Sequence, residues 1–263
     1  MTIADSVIIV TGASDGIGAE LARILSKLGA RLALNARNET KLRAVVPEAA
    51  DPLIVAGDIT DDTVRKRIIE ESIARFGRID AVINNAGAGL YAPAWEVPLD
   101  AARMLMELNF FAPLALAQLA APHMRRRKSG MIVNVGSIAG KITLPWFTLY
   151  SVSKYALGSL TEGLRMELKR DGIHAMIVCP GYVATGFQQH ILGGKVPESI
   201  ARARGLAITA ERCARDIVRG MEAEKRTVLT PKLGWLMVAA SRMVPAVMQA
   251  QLTKIHDRQH PQA

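Results

Sequence analysis

The stretch Val7-Ile8-Ile9-Val10-Thr11-Gly12-Ala13-Ser14-Asp15-Gly16-Ile17-Gly18 decides the architecture. Its apolar opening reads as a strand buried on both faces, and its three glycines run directly into the helical pattern Ala19-Glu20-Leu21-Ala22-Arg23-Ile24-Leu25. Glycine lacks a Cβ, so such a turn can be tight, and its backbone N–H groups can approach a phosphate at the positive end of the helix. The spacing is GxxxGxG rather than GxGxxG, and a glycine cluster alone is often a plain turn. Position after a first strand and before a helix favours a phosphate cradle.

Outward from this turn the rhythm repeats. Short β-rich apolar runs near 7–11, 32–36, 53–57, 81–84, 131–135, 174–179 and 227–230 alternate with helical patterns near 17–28, 39–46, 62–76, 100–127, 151–170 and 210–222. Such alternation makes βαβ units, hence a parallel sheet covered on both faces and a doubly wound α/β architecture. Helix stops are a cation followed by glycine: Lys27 before Gly29, Arg75 before Gly77, Arg170 before Gly172. With 263 residues and no repeat, linker or composition break, one domain is expected over 1–231, with 232–263 as its C-terminal extension.

Half the residues are hydrophobic and 22% charged, which excludes a disordered chain. The net charge of +9 suits an anionic partner, whether nucleic acid, a lipid surface or a phosphate-bearing cofactor, and charge alone does not choose. The densest run, Arg125-Arg126-Arg127-Lys128, ends a long helical pattern, where cations complement the helix dipole. No aromatic residue interleaves it, so the helix-end reading is favoured and no nucleic-acid partner is expected. Cys179 and Cys213 form no CxxC pair, so neither a metal site nor a disulfide framework is indicated. The first residues carry no basic region or cleavage site, and with these cysteines a reducing cytoplasm is the expected location.

Near the C-terminus, Trp235-Leu236-Met237-Val238-Ala239-Ala240 resumes after Ser241-Arg242 as Met243-Val244 and meets Pro245. That is well short of the ~20 apolar residues that span a bilayer. A substrate lid, packing against protein and a membrane interface all fit it; amphipathic stretches are mostly buried against protein, which ranks the first two higher.

The second strand ends Leu34-Asn35-Ala36-Arg37-Asn38, where NAD-binding folds place a carboxylate for the ribose 2′-hydroxyl. Ala36 removes that charge and Arg37 offers a planar fork for a 2′-phosphate, so NADP(H) is favoured over NAD(H). Asp15 inside the turn pulls the other way, and Arg37 also reads as a solvated loop cation.

Tyr150-Ser151-Val152-Ser153-Lys154 opens the helix after the fifth strand, and the i, i+4 spacing puts phenol and ammonium on one face. A nearby cation lowers a tyrosine's ordinary value of about 10 and fits it for general acid–base work. Such a pair alone is commonly structural. Ser137 ends the fifth strand at the sheet's carboxyl edge, where it could hydrogen-bond a substrate oxygen or simply make a turn.

Taken in order, TGASDGIG at 11–18, NNAG at 84–87, the helix of Asn109, Ser137, YSVSK at 150–154 and PGYVAT at 180–185 make the chain resemble the short-chain dehydrogenases/reductases, from about residue 5 to about 185. The resemblance implies a Rossmann-type, seven-stranded sheet in the order 3-2-1-4-5-6-7. It implies a catalytic tetrad of Asn109 in a proton relay, Ser137 as carbonyl stabiliser, Tyr150 as acid–base and Lys154 as ribose ligand. Gly12, Ser14, Asp15, Gly16, Ile17 and Gly18 would belong to the pyrophosphate turn, Arg37 and Asn38 to the 2′-phosphate end, and Asp58 and Ile59 to the adenine contact. Asn85, Ala86 and Gly87 would line the adenine ribose and nicotinamide side, although the amides of Asn84 and Asn85 could equally brace the central strands. Pro180, Gly181, Val183 and Thr185 would flank the nicotinamide amide.

The segment 182–207, with Phe187, His190, Ile191 and Leu192, lies where the family carries its substrate loop and is largely apolar or uncharged. A hydrophobic ketone or secondary alcohol is therefore the expected small-molecule substrate; His190 reads as a solvated loop residue before it reads as a contact. The family suggests a homo-dimer or homo-tetramer. The competing classes are a catalytically silent NADP-binding scaffold and a membrane-surface interaction protein; the intact tetrad argues against the first.

Overall fold

Helices lie against both faces of the main sheet, which is why the residues of its central strands are buried almost throughout rather than at alternate positions. The structure, a computed structural model, describes residues 1–47, 50–189, 191–193 and 207–257. Strands β1 (Val7–Thr11), β2 (Arg31–Ala36), β3 (Leu53–Ala56), β4 (Ala81–Asn84), β5 (Gly130–Val135) and β6 (Ile173–Pro180) form this sheet together with β9 (Thr227–Thr230). Its order is β3-β2-β1-β4-β5-β6-β9 with every pair parallel, the Rossmann-like arrangement expected from the sequence. A small parallel pair, β7 (Val183–Ala184) with β8 (Ile208–Thr209), sits outside it and was not expected.

The helices are α1 (Gly16–Lys27), α2 (Glu39–Arg43), α3 (Asp62–Phe76), α4 (Leu99–Met106), α5 (Ala112–Arg127), α6 (Thr148–Glu167), α7 (Ala210–Glu222), α8 (Gly234–Met243) and α9 (Pro245–Asp257). One face of the sheet buries Leu21, Ala22 and Leu25 of α1 beside Cys213, Ile217 and Met221 of α7. The other buries Val64, Ile68 and Ile69 of α3 beside Leu116, Ala117 and Ala120 of α5. The run Leu99–Arg127 is long and apolar enough to cross a membrane by length and composition, but Ala112, Leu116, Ala120 and Met124 within it are core residues of this second face.

Three differences from the sequence reading concern local geometry. The pattern at 39–46 yields a helix only to Arg43. Helix α6 begins at Thr148, two residues before the expected opening at Tyr150, which lies in its first turn. The expected helix over 100–127 is interrupted by a π-turn at Glu107–Phe111, which contains Asn109.

The basic run closes α5 as read. Arg127 pairs with Asp80 at 2.7 Å, while Arg125 and Lys128 pair with Asp171 at 2.6 and 2.9 Å. Asp80 also accepts from Val7 N and from Arg78 Nε at 2.8 and 2.9 Å, tying the starts of β1 and β4 to the end of α5. Burial raises the Asp80 carboxyl, but the Val7 amide and the two guanidiniums outweigh it and hold the group below its ordinary value.

Packing explains the inner side of the C-terminal extension. Val238 of α8 and Leu252 of α9 join Ile142, Leu157, Ile177 and Leu229 in one cluster, and Gly234 is buried. Among the described residues, none of 232–257 lines the cleft at the carboxyl edge of the sheet.

Candidate active site

The cleft, of about 670 Å³, follows the carboxyl ends of β1 to β6. It crosses the point between β1 and β4 where the strand order reverses, the place where open α/β sheets bind ligands.

The turn after β1 is built for close approach. Gly12 has φ of +63°, and a Cβ there would meet Ala86 Cα at 2.9 Å, so the turn admits no side chain. Thr11 Oγ1 accepts from the N–H groups of Asn85 and Ala86, and Asn85 Nδ2 donates to the carbonyls of Thr11 and Gly12. The Asn85 amide thus braces the turn while Asn85 also lines the cleft, and that of Asn84 donates to Asn134 Oδ1 at 2.7 Å, a brace between β4 and β5. Asp15 caps α1 by accepting from Gly16 N at 2.6 Å. The N–H groups of Ile17 and Gly18 donate to no atom among the described residues, and the first turn carries no acidic side chain. Gly12, Ser14, Asp15, Gly16 and Ile17 line the cleft. This donor set fits a dinucleotide pyrophosphate.

Gly18 also has a packing role. It does not line the cleft, and a Cβ on it would lie 2.2 Å from Gly12 O and 2.5 Å from Asn85 Nδ2. Its absence of side chain lets α1 press against the turn.

At one end the cleft is lined by Arg37, Asn38, Asp58 and Ile59, as expected, and also by Asn35 and Lys41, which the sequence reading missed. Arg37 is exposed and pairs with no described residue, Asn38 caps α2 through Lys41 N at 2.9 Å, and Asp58 Oδ1 accepts from Thr60 N and Oγ1, fixing the loop after β3. Lys41 stands four residues past Arg37, in the short helix that follows the second strand, and a second cation so close to Arg37 was the available signal. Asn35 is buried and its Nδ2 donates to Val55 O and Gly57 O, so it is a brace between β2 and β3.

Ser137, Tyr150 and Lys154 line the middle of the cleft with Ala86, Gly87, Pro180, Gly181, Val183 and Thr185. Ser137 caps the 3-10 turn Ile138–Gly140 by accepting from Ala139 N at 3.1 Å. Lys154 Nζ donates to Val135 O at 3.0 Å and lies 5.7 Å from the Tyr150 ring centre. Burial is the dominant influence on both groups. It pushes the Tyr150 phenol up to about 12, with a Ser137 hydrogen bond opposing, and the Lys154 ammonium down to about 8. Desolvation of the enclosed ring outweighs the Ser137 hydrogen bond, so the phenol stands above its ordinary value of about 10. Tyr150 remains a protonated phenol at neutral pH.

Asn109 is fully buried and is not on the cleft wall. Its amide accepts from Ala88 N and donates to Ala88 O and to Ser153 Oγ, each at 3.0 Å. Ser153 in turn donates to Tyr150 O at 2.7 Å, linking the π-turn to the first turn of α6. A Cβ on Gly87 would come within 3.1 Å of Asn109 Oδ1 and 3.4 Å of Lys154 Nζ, so only glycine lets the chain pass these groups without displacing them. Ser153 was missed in the sequence, where it reads as one polar residue among several.

The other end is aromatic and aliphatic. Tyr91 stacks on Phe147 at 4.2 Å, Phe147 on Tyr150 at 4.0 Å, and Phe187 meets Tyr150 edge-on at 5.9 Å. Leu108, Ile191 and Leu192 complete this wall. Leu192 N donates to Gly89 O within the segment 182–207; His190 and 194–206 lie outside the described residues.

A nucleotide-binding cleft with an enclosed tyrosine, lysine and serine at its centre defines a class of hydride-transferring oxidoreductase, and the comparisons agree. The family described as short chain dehydrogenase matches residues 6–194. Human dehydrogenase/reductase SDR family member 7 is 35% identical over 247 residues, covering 90% of this chain and 73% of that protein. A short chain dehydrogenase from Burkholderia cenocepacia J2315, solved in complex with NADP, has a TM-score of 0.80 at 26% identity and covers 96% of this chain and 99% of its own. One from Burkholderia phymatum, solved in complex with NAD, has a TM-score of 0.85 at 23% identity, covering 94% and 96%, and shares the fold. The chain belongs to the short-chain dehydrogenase/reductase family and is an oxidoreductase of that family.

Proposed function

We propose that the protein is an NADP(H)-dependent carbonyl reductase, or alcohol dehydrogenase in the reverse direction, acting on a hydrophobic ketone or secondary alcohol. The observation that carries this reading is the position of the enclosed Tyr150 phenol, between the phosphate-binding part of the cleft and its aromatic end. Gly12, Ser14, Gly16 and Ile17 would hold the pyrophosphate, and Arg37 with Lys41 the 2′-phosphate, with Ala36 where a carboxylate would repel it. When bound, the nicotinamide supplies hydride to a carbonyl carbon or accepts it from an alcohol. Tyr150 gives its phenolic proton to the substrate oxygen, and the Ser137 hydroxyl hydrogen-bonds that same oxygen. Lys154, anchored on Val135 O, opposes the negative charge left on the phenolate. Asn109 and Ser153 act through Tyr150 and are positioning residues. The NADP bound to the Burkholderia cenocepacia relative supports the cofactor choice. A homo-oligomer working in a reducing cytoplasm belongs to the same proposal, supported by the two free, buried cysteines and by family likeness.

Turnover in a substrate screen followed by NADPH absorbance should be lost in Tyr150→Phe by a factor of about a hundred or more, with NADPH affinity retained. Wild-type-like turnover in that variant would sink the mechanism. In Arg37→Ala/Lys41→Ala the kcat/KM preference for NADPH over NADH should fall about tenfold or more; an unchanged preference rejects the 2′-phosphate assignment. A silent scaffold, by contrast, binds NADPH and turns over nothing in the wild type.

A further inference from the structure

Outside the cleft, the largest unexplained feature is the outer side of α8 and α9. While Gly234 and Val238 face the core, Leu233, Leu236 and Met243 are 67%, 66% and 81% exposed, and Trp235, Met237 and Val247 are exposed beside them. Scattered surface apolar residues need no explanation, but this many on two consecutive helices form a patch. The charge pattern of the same segment is one-sided. From Pro231 to His256 there is no Asp or Glu, while Lys232, Arg242 and Lys254 punctuate the run. None of the three pairs with a carboxylate among the described residues.

A recess of about 530 Å³ opens between these helices and the segment leading into α6. Its walls carry Lys141 and Arg242, the hydroxyls of Thr143, Ser241 and Thr253, and no acidic residue, while Leu252 and Ile142 supply an apolar floor. Two cations with hydroxyl donors above apolar side chains match an anionic headgroup joined to hydrocarbon.

We propose that α8 and α9 dock the protein on the surface of an anionic lipid bilayer, with Trp235, Leu236 and Met243 entering the headgroup boundary and the Lys141–Arg242 recess receiving a lipid headgroup. The argument for lipid over protein is charge complementarity: an apolar face set among three cations, with Asp257 at the far end of α9 its one acidic residue, is matched by a surface that is negative everywhere and apolar just beneath. The helices are too short and too interrupted to span, so attachment is peripheral and reversible.

The full chain should co-sediment with phosphatidylcholine vesicles containing phosphatidylserine on the order of tenfold more strongly than with phosphatidylcholine alone, and high salt should weaken this. Arg242→Glu/Lys254→Glu should lose most of that difference while keeping NADPH binding, and so should Leu236→Asp; the charge variant keeps the test decisive if Leu236→Asp fails to fold. Brominated lipid should quench the fluorescence that Trp235→Phe removes. Equal sedimentation with both vesicle types, or a charge variant that binds like the wild type, overturns the proposal. It is also overturned if light scattering finds an assembly that Leu236→Asp breaks while no vesicle binds, since the face then belongs to a second copy.

Discussion

Gly18 shows how much one missing methyl group can control. Its place in the glycine motif suggested contact with a phosphate, yet it lies behind the turn, where a Cβ would sit 2.2 Å from the Gly12 carbonyl oxygen. That oxygen is backbone and cannot swing aside, so Gly18→Ala must move the turn or α1. We expect NADPH affinity to fall about tenfold or more, read by fluorescence titration, with the folded state kept; unchanged affinity would show that the turn has room to spare. The motif was legible in the sequence because its glycines are spaced for a turn, but the division between glycines that meet ligand and those that meet helix depends on three-dimensional packing. Tyr150 and Lys154 divide similarly. Their shared helix face followed from spacing, whereas the direction in which each group titrates follows from enclosure by Phe147, Phe187 and the end of β5.

At the scale of elements, the alternation of apolar runs and helical patterns marked all seven strands of the main sheet, because all but the edge strand β3 are buried at nearly every position. The π-turn at Glu107–Phe111 was not read, although a signal existed. Pro113 stands four residues after Asn109 and has no N–H for the Asn109 carbonyl, so a regular ladder cannot continue through that point. The bulge there accompanies an inward amide, the feature that resemblance alone had assigned to Asn109. Asp80 belongs to this scale too, since it joins β1, β4 and α5. Replacing it in Asp80→Asn leaves Arg78 and Arg127 without their carboxylate and should cost about 2 kcal/mol at neutral pH. The folded-state carboxyl titrates below its ordinary value, so this contribution is complete above the unfolded value of about 4 and fades as pH falls through the lower, folded one. Urea midpoints of the two proteins should therefore converge in acid. A gap that persists there would mean the loss is steric.

For the molecule as a whole, the cleft draws on residues from Gly12 to Leu192, so a ligand filling it ties the two halves of the sheet together. NADPH at a hundred times its dissociation constant should add about 2.7 kcal/mol to unfolding, a rise in Tm of roughly 5–10 °C for a chain of this size. NADH at the same concentration should give a visibly smaller shift in differential scanning fluorimetry; equal shifts would argue that the Arg37–Lys41 end does not discriminate. The substrate end was legible only as a tendency, since Phe187, Ile191 and Leu192 announce an apolar loop but Tyr91 and Phe147 reach it from segments with no motif of their own.

The strand order has a consequence for how the chain is made. Ile8 pairs with Leu32 on one side and with Ala81 on the other, so the second partner of β1 is far away in sequence. During synthesis at the usual pace, the Val7–Val10 segment waits on the order of ten seconds with one hydrogen-bonding edge uncovered. A newly begun chain is therefore sticky at a strand that will later be buried throughout, and slowing translation between β2 and β4, or withholding a holdase chaperone, should lower soluble yield without changing the stability of molecules that do finish.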